Sequence, residues 1–443
     1  MKFRKIFTAV TAAVMCLTIS SCGGNGNEQV PETNAEGKKI IKLTIMGLNE
    51  NVSTVINDFN NTNDEYEIEV TDNFSLNYDD MVTRMNLEVM SGNNPDIIDC
   101  GVLPMESYIE KDVFANLYDF IDNDPEMSRE DFLENVFKAY EVNGGLYESV
   151  NSFTIEVIMG KSSVVGEMQG RTSDDFIDLA EKYPDKRFRD LPVSKSTVFD
   201  DFMNYGWQSF VDKETDKCDF NSEKFIRILE YCNTMPQEYD YSYLNNPNWT
   251  RNLADDMRNE KALFTVYGRF VNDFYSLRKL EYNTLGEPPA IVGYPDAEGN
   301  GAMIDSSSNS KKFAIFENSP VKEGAWEFLR CFYSDEFQKK IVKGYMLPVR
   351  KSAIEFAAEE AKKGYYLSYA DEYSDEFGIN TDEDNQRIID LINGATCRVE
   401  TSENFVYNII QEEAEMYFSG QRPVKETAEI IQNRVQNYLD ENR

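Results

Sequence analysis

Hydrophobic and polar positions follow two periods along this chain, and each change of period marks an element. Residues 39–46 (KIIKLTIM) are a β-branched run that stops at Gly47, followed by a helical pattern over residues 52–59 and a second strand over residues 66–70. Residues 81–90 are helical and stop at Ser91-Gly92, and residues 96–99 (DIID) read as a short buried strand before Gly101. Strand, helix, strand, helix, strand is the order of a parallel sheet with crossover helices, so the predicted fold class is α/β. Ligands of such sheets bind outside the carboxyl ends of the strands, which selects the loops at residues 47–51 and 99–105.

From Gly145 the pattern changes. Residues 146–159 are strand-like, and residues 172–182 (TSDDFIDLAEK) open with a Thr/Ser cap and acids in the first turn, both helix-start signals. Helical patterns then dominate to about Tyr282. Two extended segments follow, residues 290–294 and 312–316, and residues 324–333 form a helix whose buried members are Trp326, Phe328 and Leu329. The C-terminal helix begins at Pro423 and carries Val424, Ala428, Ile431, Val435 and Tyr438 at steps of four, three, four and three, the spacing of a docking face.

The first residues have another purpose. A basic start (Lys2, Arg4, Lys5) leads into the apolar run 6–19 and then Ser20-Ser21-Cys22, which is a secretory signal and too short to span a bilayer. Ile19, Ser21 and Cys22 followed by Gly23-Gly24 resemble the lipobox of bacterial lipoproteins, in which Cys22 would receive lipid and become the new N-terminus. Residues 1–21 are then a lipoprotein signal peptide, residues 22–38 a polar, flexible tether, and the protein a lipid-anchored one facing the extracellular side. Five cysteines remain beyond Cys16 and Cys22, without CxxC spacing; this argues against a disulfide scaffold or zinc site and favours free thiols packed as small hydrophobes.

Composition narrows the chemistry. The chain has 443 residues, 79 Asp and Glu against 44 Lys and Arg, no histidine, and a formal charge of -35. Without imidazole there is no Ser-His-Asp or Cys-His pair and no HExxH metal site. The acid surplus opposes nucleic-acid binding, and the acidic stretch 371–384 lacks the DxDxDG spacing of a calcium loop. No cofactor is implied.

Several segments in fixed order resemble the extracellular solute-binding proteins of family 1, the lipoprotein receptors of carbohydrate ABC importers. They are MVTRMNLEVMSGNNPDIID, GGLYESV, YGWQSFVDKETDKCDFNSEKF, EKALFTVYGRF, SSNSKKFAIFENSPVKEGAWEFLRCFYSDEFQKK and GYMLPVRKSA. The chain departs from the familiar pattern at Gly160-Lys161, where an Asn-Lys pair is common. The resemblance implies a two-lobed periplasmic-binding-protein-like (type II) α/β fold with a hinge and an interlobe cleft. Lobe 1 would combine residues 39–152 and 293–335, and lobe 2 residues 153–292 and 336–443. It also implies a monomer that binds a carbohydrate and presents it to ABC permease subunits.

A neutral sugar offers apolar C–H faces and a rim of hydroxyls, so its site needs aromatic platforms and planar polar groups. Trp207 in NYGWQSF, Trp249 after a turn-rich Asn-Asn-Pro-Asn, Tyr267 at the end of ALFTVY and Phe153 at the crossover are the candidate platforms, each with an alternative place in a core. Trp326, on an amphipathic helix face, belongs to the core. Candidate polar contacts are Asn49 and Glu50 after the first strand, Asp99 and Gly101 after the third, Arg269 beside Tyr267, and Asp305 and Ser306 near the return crossover. Such a receptor is not an enzyme. The same residues leave open a sensing subunit, a receptor for a polyamine or peptide, and a lipoprotein glycosidase with paired carboxylates, which needs no histidine.

Overall fold

The computed structural model describes residues 31–441, apart from 75–77, 92–93, 167–170, 205, 213–214, 266–269, 272–273, 275–276, 296–302, 307–310, 345, 364–377 and 400–404. The β-branched run at the start becomes the central strand of a sheet. Strand Lys39–Ile45 pairs in parallel with Tyr66–Asp72 (Leu43 beside Val70) and with Ile97–Asp99 (Leu43 beside Ile97). Strand Phe313–Ile315 closes the far edge, antiparallel, with Phe313 opposite Asp99. The helix between the first two strands, Glu50–Thr62, is capped by the Asn49 side chain, which accepts from the Val52 N–H at 2.9 Å. It buries Val52, Val55, Ile56 and Phe59 along one face, the spacing that an amphipathic helix needs to cover a sheet.

A second sheet has the strand order Pro289–Val292, Ile158–Lys161, Ala262–Thr265, Arg187–Arg189. Helices Ser173–Lys182, Lys195–Met203, Glu223–Cys232, Phe405–Phe418 and Val424–Glu441 contribute to one apolar core that includes Ile158, Phe176, Phe202, Phe264, Ile410 and Ile431. The last of these helices docks through Ala428, Ile431 and Val435, as its spacing predicts.

Between the two sheets lies a third, which joins them. Strand Ser152–Glu156, buried at every position, is flanked by Phe270–Val271 on one side and Met303–Ser306 on the other, with Cys397–Arg398 beyond and Leu347–Pro348 paired to its start. The chain therefore passes between the two bodies several times. Fully buried Gln338 ties the passage together: its amide donates to the carbonyls of Asn151 and Phe332, both at 2.8 Å, and its carbonyl accepts from the Val349 N–H at 2.8 Å.

Two boundaries differ from expectation. The tether predicted over residues 22–38 is fixed to the first sheet from Glu32 onward, because Ile40 N–H donates to the Glu32 carbonyl at 2.8 Å and Lys42 pairs with the Glu32 carboxylate at 2.7 Å. Residues 336–361, expected with lobe 2, pack instead in the first core. Phe337 meets Phe332 edge-on with ring centroids 5.1 Å apart, and the Leu133 N–H donates to the Val349 carbonyl at 2.9 Å. Trp326 itself is buried, stacks on Phe120 with ring centroids 5.7 Å apart, and donates its indole N–H to Asp124 at 3.0 Å. Cys100, Cys218, Cys232 and Cys331 carry free thiols, and burial pushes those of Cys100 and Cys232 well up.

One carboxylate joins three of the crossing segments. Glu148, almost wholly buried just before the first crossing, pairs with Lys312 at 3.2 Å and with Arg398 at 2.6 Å. The Arg398 guanidinium lies 4.3 Å from the centre of the Tyr140 ring, a cation–π contact that shares the burial of the charge. Burial alone would raise the Glu148 carboxyl, but the two cations outweigh it and hold the group below its ordinary value of 4.5. A depressed folded value means that this contribution to stability is present above pH 4.5 and is lost as pH falls through the folded value. Glu148→Gln leaves two cations without their counter-charge, so unfolding at pH 7 should become easier by about 3–5 kcal/mol. The gap between wild type and variant should then narrow as pH drops below 4.5, read from urea unfolding at a series of pH values.

Candidate functional site

Strand direction locates the site. In the first sheet Asp99, the last residue of its strand, lies opposite Phe313, and Phe313 exchanges hydrogen bonds with Ser149, three residues before the crossing strand begins. In the second sheet Thr265 ends its strand opposite Met159, which follows closely on the crossing strand Ser152–Glu156. The parallel strands of both sheets thus run toward the crossing strands. Their carboxyl ends face one another across the hinge, where the sequence argument places a ligand.

On the first lobe three loops converge. The Asp72 carboxylate accepts from the N–H groups of Gly47 at 2.8 Å, Leu48 at 3.2 Å and Phe74 at 3.0 Å, so one side chain organises two strand ends. Gly47 adopts φ +79°, which a side chain would strain, and the Phe74 ring covers the space where a Cβ would sit, 3.0 Å away. The Phe74 ring is 76 % exposed. Asp99, only 2 % exposed, accepts from Met46 N–H at 3.3 Å, Gly101 N–H at 3.3 Å and the Lys311 ammonium at 3.0 Å, while Lys311 also donates to the Met46 carbonyl. Asp99 therefore shapes the loop and aims Lys311, a group with three donors, at the strand ends. Asn49 is half-buried as a helix cap, and Glu50 is exposed in the first helical turn.

The second lobe supplies Asp190, which follows strand Arg187–Arg189 and accepts from Thr265 Oγ1 at 2.7 Å, again linking two strand ends. Behind them Arg189 and Asp201 form a buried ion pair at 2.8 Å. Trp249 opens helix Trp249–Arg258, half-buried, with its ring 5.7 Å from Tyr243 in an edge contact. On the crossing strands half-buried Asp305 lies opposite Thr154, and Ser306 opposite Phe153.

The predicted site residues thus divide. Asn49, Glu50, Asp99 and Gly101 are gathered at one set of strand ends, Asp305 and Ser306 lie on the hinge, and Trp249 belongs to the second lobe. Tyr267 and Arg269, between Thr265 and Phe270, lie outside the described residues, as does Cys22. Two candidates are core residues instead. Phe153 is 0 % exposed in the first core, and Trp207, 5 % exposed, belongs to the second core through the short helical turn Trp207–Phe210, where NYGWQSF had read as a loop. Phe74 was missed. The rule that selected Asn49 and Asp99, applied to the second strand, would have found it.

A cavity of about 530 Å³ lies elsewhere, lined by Asn63, Arg330 and Arg350 among others. Asn63 leads into strand Tyr66–Asp72 at its amino end, so this cavity opens away from the strand ends where ligands bind.

Solved structures share this architecture. The sugar-binding protein MalE from Xanthomonas citri superposes with a TM-score of 0.60 at 12 % identity, covering 91 % of this chain and 98 % of that one. The cyclic alpha-maltosyl-1,6-maltose binding protein from Arthrobacter globiformis gives 0.56 at 13 %, with 91 % and 99 % covered. The galacto-N-biose/lacto-N-biose I-binding protein from Bifidobacterium longum gives 0.53 at 14 %, with 91 % and 98 % covered. At such identities the likeness is one of fold, a two-lobed periplasmic-binding-protein-like α/β fold. No curated protein matches the chain in sequence. The model of the bacterial extracellular solute-binding protein family matches residues 54–364, more than half of the chain, and the chain belongs to that family.

Proposed function

We propose that this protein is the substrate-binding lipoprotein of an ABC importer, which captures a sugar or oligosaccharide between its lobes and delivers it to membrane permease subunits without chemical change. The observation that carries this reading is the convergence of both sets of strand ends on the hinge, with an exposed ring, Phe74, beside amide and charged rim groups. The named binding targets of its fold relatives, maltose-type and lacto-N-biose sugars, support the choice of solute. Cys22 anchors the protein: no described helix is long and apolar enough to cross a membrane, and lipid chains at about 0.8 kcal/mol per buried methylene hold it there instead. The protein is monomeric, and its acid surplus keeps the lobes dispersed above the membrane.

Titration calorimetry of the mature protein against a panel of mono- and oligosaccharides, with a parallel assay for new reducing ends, tests the proposal. Saturable binding with no new reducing ends is expected; glycan cleavage would replace the receptor by a glycosidase. In the same assay Phe74→Ala should weaken binding by about 0.5–1.5 kcal/mol and leave the melting temperature unchanged. Trp207→Ala should do the reverse, losing about 3–5 kcal/mol of stability as an emptied core position. Replacing Cys22 by Ser should move the protein from the membrane fraction to the soluble one.

A further inference from the structure

The loop before helix Trp249–Arg258 carries a group of rings outside both cores. Tyr239 lies 4.7 Å from Tyr241 and 6.0 Å from Tyr243 between ring centroids, and Tyr243 lies 5.7 Å from Trp249. A hydroxyl contact of 3.0 Å between Tyr239 and Tyr243 fixes two of them, and burial together with that contact raises the Tyr239 phenol. Tyr241 is 69 % exposed and neighbouring Leu244 48 % exposed. An aromatic cluster that is half-buried and presents one ring and a leucine to water marks a binding surface more readily than a packing defect.

Its position follows from chain direction. Helix Trp249–Arg258 leads into the amino end of strand Ala262–Thr265 and packs on it, so the start of the helix lies at the carboxyl end of the strand. The Lys195 N–H donates to the Pro236 carbonyl at 3.0 Å, which ties the loop to the segment after strand Arg187–Arg189. The charge of Arg189, the last residue of that strand, acts on the Tyr239 phenol. The rings therefore form a shelf on the ligand side of the second lobe.

The chemistry of the shelf selects its occupant. Ring faces accept the C–H faces of sugars, while Asp240 and Asn245 at the rim carry acceptors and donors for hydroxyls. Four linked rings offer more surface than one pyranose covers. We propose that the shelf is an outlying subsite for the distal residues of an oligosaccharide whose end is held between the lobes. The inference rests on the sugar-receptor reading and deepens it, since a monosaccharide would not reach the shelf.

Calorimetry of the mature protein with gluco-, xylo-, manno- and galacto-oligosaccharides, each as disaccharide and hexasaccharide, tests it. For the series that binds, Tyr241→Ala and Trp249→Ala should each weaken the hexasaccharide about five-fold, the effect of one aromatic contact, and the disaccharide less than two-fold. Fluorescence gives a second readout. Trp207 and Trp326 are buried, so acrylamide quenching reports Trp249, which the hexasaccharide and not the disaccharide should shield. Equal loss for both lengths, no loss for the hexasaccharide, or no shielding would overturn the shelf and leave the receptor intact. Failure of every sugar to bind wild type would overturn both.

Discussion

The architecture depends on neutralising one buried carboxylate. Glu148 sits where the chain leaves its first sheet, and the two cations that face it come from segments remote in sequence: Lys312, which returns to that sheet, and Arg398, which follows the last helices of the first core. A buried charge without a partner is costly, so separating any of these segments from the others exposes or orphans a charge. The first and later crossings are therefore held together by electrostatics at one point and by Gln338 at another, where one amide serves four backbone groups. The position of the hinge, and with it the facing of the strand ends, follows from these constraints.

A fixed hinge with facing strand ends has a functional consequence. Closure of two lobes about such a hinge is a recognised motion, and a solute that touches both lobes binds the closed form more tightly than the open one. Such a device stores its specificity in rim groups and rings and requires no proton transfer.

The sequence revealed the scaffold more fully than the site, for a physical reason. Periodicity is set by the core, so strands 39–45, 66–72 and 97–99 and the helix ending at Glu441 were legible within a few residues. Lobe membership was harder to read. Residues 336–361 follow a lobe 1 helix without a break in pattern, and only three-dimensional packing shows which core they join. The tether misread has a similar origin: Glu32 and Asn34 are polar, and it is their hydrogen bonds to Ile40 and Lys38, at the start of the first strand, and not burial, that order them.

Aromatic residues show the limit most sharply. Trp207 and Phe153 were candidates because they lie in turn-like or crossover stretches, yet each fills a core. A large ring in an irregular segment is often there to plug that segment onto the core, since loops cannot bury a continuous apolar face by themselves. Phe74 and Tyr241 show the converse, for neither stands out in a hydropathy pattern and both are open to solvent. What separates the two groups is the strand end beneath them. Phe74 is held over Gly47 by the Asp72 carboxylate, and the loop that carries the tyrosines is tied through the Pro236 carbonyl to Lys195, in the segment that follows strand Arg187–Arg189. Ring type nominates a sugar platform, but backbone direction decides whether the ring faces a ligand or the core.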